Sequence, residues 1–270
     1  MADTRTCPAC GNDNRRSARF CRRCGEPLPE ASASEAPPEH EPPSAPVASM
    51  TPSQREAASV RTLAPVLWLM CVLLATSGVL FFATKGEPFA NPTLLLNASI
   101  FDALVILGFA ISERAALAAL LRRTGLDARG IGRTAIALAF TIAFVHVYFW
   151  LLRALSIGEL RYLDDFRAFG WPIWSAFLLI SPMPAVVEEI AFRGFIWLRL
   201  ERVARPRDVL FIQAALFSVM HLLPMVFASH FVIGLVLGWL RRETRSLYPP
   251  MIAHAAWNAI VLLEELAGIG

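Results

Sequence analysis

Three short polar clusters sit in the most apolar part of this sequence, and their side chains are of the types that perform acyl transfer. Glu188, Glu189 and Arg193 stand in Val-Val-Glu-Glu-Ile-Ala-Phe-Arg-Gly-Phe, His221 closes Phe-Ser-Val-Met-His, and His254 and Asn258 bound His-Ala-Ala-Trp-Asn. An ionised side chain near the centre of a bilayer costs about 2.5–3.5 kcal/mol even on a lenient scale, so two glutamates and an arginine must be paired or hydrated. Glu189 and Arg193 are four residues apart and can pair along one helix face. Glu188 is left over, a carboxyl beside a paired carboxyl, which suits a general base or acid. Phe217 and His221 share one helix face, and so do His254 and Asn258. Each cluster alone has a bland reading, an interfacial charge group or a packing histidine. Three of them in succession inside apolar segments argue for a site.

The elements that must position them are membrane helices. The chain of 270 residues is 56% apolar and 17% charged, against about 45–50% and 25% for average chains. Seven apolar stretches are expected: 63–84, 93–111, 134–155, 171–198, 209–223, 225–240 and 251–266. Several approach the roughly 20 residues that cross the hydrocarbon core, and the fifth and sixth are short. All must be helical, because an open sheet in lipid leaves its backbone unsatisfied. Pro182 and Pro184 are expected to break the fourth stretch just before the glutamates and to open a wet, irregular pocket. The predicted fold is therefore an all-α polytopic membrane protein of about seven transmembrane helices plus a small N-terminal zinc ribbon.

Charge sets the expected orientation. With the N-terminus inside, the inner loops hold Arg114, Arg122, Arg123, Arg129, Arg133, Arg199, Arg202, Arg205, Arg207, Arg241, Arg242 and Arg245, and the outer loops only Lys85, Arg161 and Arg167. That bias predicts a multi-pass protein of the cell membrane with a cytoplasmic N-terminus. The same bias accounts for the net charge of +3, so nucleic acid is not expected as a partner. The N-terminus lacks the ordered regions of a cleavable signal, and an internal span is expected to drive insertion.

Cys7, Cys10, Cys21 and Cys24 form two C-x-x-C pairs, each followed by a glycine, Gly11 and Gly25. Two such knuckles place four thiolates around a Zn²⁺ at about 2.3 Å, and each glycine permits the tight turn that aims amides at sulfur. Two disulfides are the weaker alternative in a reducing compartment. The segment resembles the zinc ribbons at the N-termini of many bacterial membrane proteins. The expected divisions are a ribbon over 1–26, a disordered Pro- and Ala-rich linker over 27–62, N-terminal transmembrane helices over 63–170, and a core over 171–266. Cys71, His146 and His230 are expected to be packing residues, and Asn97 and Asp102 polar glue between helices.

E-E-x-x-x-R, F-x-x-x-H and H-x-x-x-N, ordered on successive membrane helices, resemble the pattern of the CAAX-protease and bacteriocin-processing family (CPBP or Abi), intramembrane proteases related to the prenyl-protein endoprotease Rce1. The resemblance covers about 171–266. It implies that Glu188 activates a water that His221 helps to hold, that Glu189 and Arg193 position and polarise this pair, and that His254 and Asn258 donate hydrogen bonds to the oxyanion. A second arrangement implied by the family puts a divalent metal on His221, His254 and a glutamate. The expected activity is endoproteolysis of a peptide, prenylated or membrane-protein substrate in the bilayer. The rival is a membrane scaffold whose ribbon binds a protein partner. A transporter is disfavoured because no inverted halves are visible, and serine chemistry because no G-x-S-x-G lies in a span.

Overall fold

The computed structural model describes residues 4–15, 18–28, 52–86, 91–157 and 161–268. Two short antiparallel strands, β1 (Thr4–Thr6) and β2 (Asp13–Arg15), open the chain. The rest is helical: α1 (Pro52–Ala83), α2 (Pro92–Ile111), α3 (Arg114–Arg122), α4 (Ala128–Ala154), α5 (Leu163–Ala168), α6 (Ile173–Ile180) and α7 (Pro182–Glu189). A π-helical segment (Ile190–Ile196) follows, then α8 (Trp197–Leu200), α9 (Pro206–Met220), α10 (Pro224–Thr244) and α11 (Tyr248–Ala267).

The helix starts follow local chemistry. Pro92 stands at the head of α2, where a missing N–H costs nothing, and the Asn91 side chain accepts from the amides of Thr93 and Leu94 at 3.1 and 3.0 Å. Asp127 caps α4 through the Gly130 amide at 2.9 Å. Proline also opens α9, α10 and α11.

Among the described residues, five helical stretches are long and apolar enough to cross a membrane: Glu56–Ala83, Pro92–Ile111, Ala128–Ala154, Ile173–Leu200 and Pro224–Thr244. These fit a multi-pass membrane protein. Seven spans are expected from the sequence, and the two that fall short have physical reasons. Helix α9 has 15 residues, roughly 22 Å at 1.5 Å per residue, too little for a ~30 Å core. Helix α11 carries Pro249, Pro250, His254, Asn258, Glu264 and Glu265 and is too polar. Helix α1 begins at Pro52, eleven residues ahead of the start at 63 expected from the apolar run. Most of the expected linker, residues 29–51, lies outside the described residues. The ribbon reaches Leu28, which is buried.

Outward faces are apolar: Trp68, Val79, Phe82, Leu104, Ile136 and Trp174 are all exposed, as suits helices solvated by lipid. Cys71 is among these outward residues, not in the core; it lines an apolar groove of α1 and α2 together with Asn97. Inside, α9 and α10 pack closely because α10 is glycine-notched. A Cβ on Gly238 would lie 2.4 Å from Gln213 Nε2, and one on Gly234 2.9 Å from Ala214 Cα, the small-residue contact that lets membrane helices approach. At one end of the bundle Glu113 forms an ion pair with Arg199, 2.7 Å from its Nε, and accepts from Arg202 Nη2 at 2.6 Å, tying the α2–α3 junction to the end of α8.

Candidate active site

The site begins at the break in the fourth span. Ser181, between α6 and α7, has φ −109° and ψ −85°, outside the helical region. The cause is proline: in an unbroken helix the Ile180 carbonyl would accept from residue 184, and Pro184 has no N–H to give. Asn258 on α11 supplies the missing donor, its Nδ2 reaching Ile180 O at 2.8 Å. Ser181 Oγ donates to Ala255 O at 2.8 Å. Two hydrogen bonds thus pin α11 to the break and hold open a cavity of about 290 Å³. Its walls come from α1, α2, α7, α11 and the turn between α9 and α10, and they include Glu188, His221, His254 and Asn258.

Behind this wall lies a fully buried ion network. Glu189 and Arg193 have no exposed surface. Arg193 Nη1 donates to Glu189 Oε1 at 2.9 Å and its Nη2 to Gly234 O at 3.2 Å. His254 Nδ1 donates to the same Glu189 oxygen at 3.0 Å. Because an ionised carboxylate only accepts, this bond fixes the proton on Nδ1 and turns Nε2 toward Glu188, 3.9 Å from its Oε2. That separation exceeds a direct hydrogen bond, and Glu188 Oε2 is buried without a hydrogen-bond partner. The network spans the π-helical segment that directly follows the glutamates, where each turn takes in an extra residue. The pairing of Glu189 with Arg193 expected from their spacing is present; the π geometry has no signal in that spacing.

Phe217 organises the imidazoles. Its ring lies 4.5 Å beneath the Arg193 guanidinium, and the rings of His221, His254 and His230 surround it with centroids at 5.0, 5.9 and 6.0 Å. Helix α9 ends at His221, whose Nδ1 donates to Phe217 O at 2.9 Å, and the next residue, Leu222, turns back with φ +51°. This turn brings His230 over His221, with ring centroids 3.9 Å apart. His230 Nδ1 donates to Val226 O at 3.0 Å. Both imidazoles therefore hold their Nδ1 proton against a carbonyl of their own helix and keep Nε2 as a free acceptor. His230, expected to be a packing residue, lines the cavity; helical spacing could not reveal it, because a turn separates it from His221. Asp102, expected to be glue, lines it too, while Asn97 does not. His146 is half-exposed and bonds Glu264 at 3.0 Å, away from the site.

The four N-terminal cysteines form a separate constellation. Their sulfurs lie within 4.8 Å of one another, with Cys7 and Cys24 at 3.7 Å and Cys10 and Cys21 at 3.5 Å. A tetrahedron with metal–sulfur bonds of about 2.3 Å has edges of about 3.8 Å, so the set fits a metal ion. All four are free thiols. Gly11 and Gly25 adopt φ +68° and +78°, and each amide bonds back to the first cysteine of its pair at 2.9 Å. Burial opposes ionisation of the Cys21 thiol, but amides of Cys24 and Arg23 and the neighbouring thiols outweigh it and bring it down to about 6. Among the described residues this is the group of three or more potential ligands that reaches such spacing. The imidazoles and Glu188 of the cavity do not.

No curated protein and no solved structure matches the chain. Residues 3–29 match the model of a domain of unknown function (DUF7577). Residues 170–260 match the family model described as type II CAAX prenyl endopeptidase Rce1-like. From the break at Ser181 through Asn258, these polar residues of the cavity therefore fall within the stretch that is similar to the Rce1-like CAAX prenyl endopeptidase family.

Proposed function

We propose that the chain is an intramembrane endopeptidase that uses a glutamate-activated water. The observation that carries this reading is Glu188, a carboxylate whose Oε2 has no hydrogen-bond partner and lies 3.9 Å from His254 Nε2, set in a cavity among membrane helices. A water between Glu188 and His221 Nε2 gives one proton to the Glu188 carboxylate as its oxygen attacks the scissile carbonyl carbon. The C–N bond then breaks, and Glu188 returns that proton to the leaving amine. General acid–base assistance of this kind is worth roughly 10²–10⁴-fold. Glu189, held by Arg193, fixes the tautomer and angle of His254. When Nε2 is also protonated, the ring is a cation flanked by two glutamates and aims a donor at the oxyanion. Asn258 spends one amide hydrogen on Ile180 O and keeps the second for the same purpose.

A catalytic metal on His221, His254 and a glutamate does not fit the arrangement, because these ligand atoms do not converge as the cysteine sulfurs do. The ribbon is read as a closed structural zinc site that recruits a protein partner. The arginine bias puts it in the cytosol, with the protein in the cell membrane. The test is substrate trapping. Glu188→Ala protein in its native membrane should accumulate uncleaved partners, identified by mass spectrometry, that wild-type protein cleaves. Equal processing by both proteins would remove Glu188 from the chemistry and the proposal with it.

A further inference from the structure

The wall opposite Glu188 is built by the part of the chain outside the matched domain. One face of α2, with Leu95, Ala98, Ser99, Asp102 and Ile106 at helical spacing, lines the cavity beside Thr76 and Ser77 of the neighbouring α1. Among the described residues Asp102 is the one charged side chain that α1 and α2 give to the lining, and it lies close enough to Glu188 for the two carboxylates to interact. Its Oδ1 is buried and has no hydrogen-bond partner. The Thr76 hydroxyl, also 3.1 Å from Val72 O, is the side-chain hydrogen-bonding group beside Asp102, and it leaves Oδ1 unserved. The described lining contains no lysine or arginine. Arg193 is committed to Glu189 and Gly234 behind the wall. The cavity thus holds two carboxyl groups and no lysine or arginine to balance them, in a place where an uncompensated charge is expensive.

Resting on the endopeptidase reading, we propose that Asp102 is a specificity residue that accepts a cationic side chain of the substrate, lysine or arginine, beside the scissile bond. A lysine ammonium supplies three donors. One meets Asp102 Oδ1, and the hydroxyls of Ser77 and Ser99 are acceptors on the same wall. Pairing removes the repulsion between Asp102 and Glu188 and leaves Glu188 as the base. A metal ion does not serve the same end, since these carboxylates and the imidazoles lack ligand spacing. The substrate class is therefore a membrane-associated peptide with a basic residue near the cut, docked between α2 and α7.

The experiment uses the full chain in detergent and apolar probe peptides that differ at one guest position, Lys, Gln or Glu, moved stepwise across the sequence. Wild-type protein should prefer Lys over Gln at one position by roughly 10- to 100-fold in kcat/KM, as expected for a buried charge-assisted hydrogen bond. Asp102→Asn, nearly isosteric, should bring that ratio toward unity, and Asp102→Glu should restore part of it. Asp102→Lys, if it folds, should favour Glu. Lys-peptide binding to Glu188→Gln protein should weaken similarly on adding Asp102→Asn. An unchanged Lys:Gln ratio in Asp102→Asn, or wild-type cleavage with no basic preference, overturns the inference and leaves the endopeptidase reading standing. Wild-type protein that cleaves no peptide overturns both.

Discussion

The ribbon and the membrane cavity both gather groups that are costly to bring together, and they resolve the cost in opposite ways. In the ribbon four sulfurs converge to within 4.8 Å of one another, a set that a single metal ion can satisfy completely. In the cavity one aromatic ring, Phe217, spaces three imidazoles around itself. A salt bridge behind the wall holds one of them, and Glu188 Oε2 stays without a hydrogen-bond partner. Convergence suits a structural site, and spacing leaves the groups open to a ligand, as the proposed reaction requires. The same contrast appears in how each region is held. The ribbon is small and has a core of little more than Cys7, Cys21 and Leu28, whereas the cavity is framed by helices that pack without it.

The sharpest break is metal removal. Cys7→Ser with Cys10→Ser should abolish stoichiometric zinc and unfold the ribbon, because such domains have almost no stability without metal. Cleavage of a short peptide in detergent should persist. Metal analysis, amide exchange and peptide turnover measure the three outcomes, and loss of turnover with intact membrane helices would merge the two regions into one catalytic unit. His254→Ala should act in the opposite sense. Zinc content stays, turnover falls by roughly 10²–10⁴-fold, and the loss of its bond leaves Glu189 leaning on Arg193 alone. Asn258→Ala should cost roughly 10²-fold in kcat if its second hydrogen meets the oxyanion. It should also lower the melting temperature, since it orphans the Ile180 carbonyl. A fall in melting temperature with unaltered kcat would make Asn258 a brace and nothing more. The smallest effect is expected on lowering pH. Metal binding displaces thiol protons, so ribbon zinc should be retained near neutrality and released as protons compete for the four sulfurs on acidification. Zinc release at constant peptide turnover is the reading to look for.

Much of this division is legible in the amino-acid sequence alone, and the limits are specific. Residue pairs four apart on one helix behave as their spacing demands: Glu189 with Arg193, Phe217 with His221. The two knuckle glycines take the positive φ their positions require. What fails is inference across turns and between segments. His230 meets His221 only through the reversal at Leu222, and Asp102 reaches the cavity only through packing of α2 on α7. Neither carries a periodic signal. The π-helical segment is equally silent, because nothing in the order Ile-Ala-Phe-Arg-Gly-Phe-Ile distinguishes a π turn from an α turn. Asn258 is an intermediate case. A proline four residues beyond Ile180 already announces a carbonyl without a donor, and a side chain that fills such a gap can be sought.

The positive φ of Leu222 carries a consequence for anyone who would engineer the protein. A left-handed leucine costs of order 1 kcal/mol or more, and glycine would take that conformation freely, so Leu222→Gly is an attractive route to a sturdier protein. Yet the leucine side chain rests 4.0 Å from the Cβ position of Gly78 on α1, and the turn it locks stacks His230 on His221. Relaxing that residue would trade the rigidity of the turn that carries His221 for thermal endurance. A hardier variant selected only on survival to heating would thus tend to drift toward a folded, long-lived and idle protein.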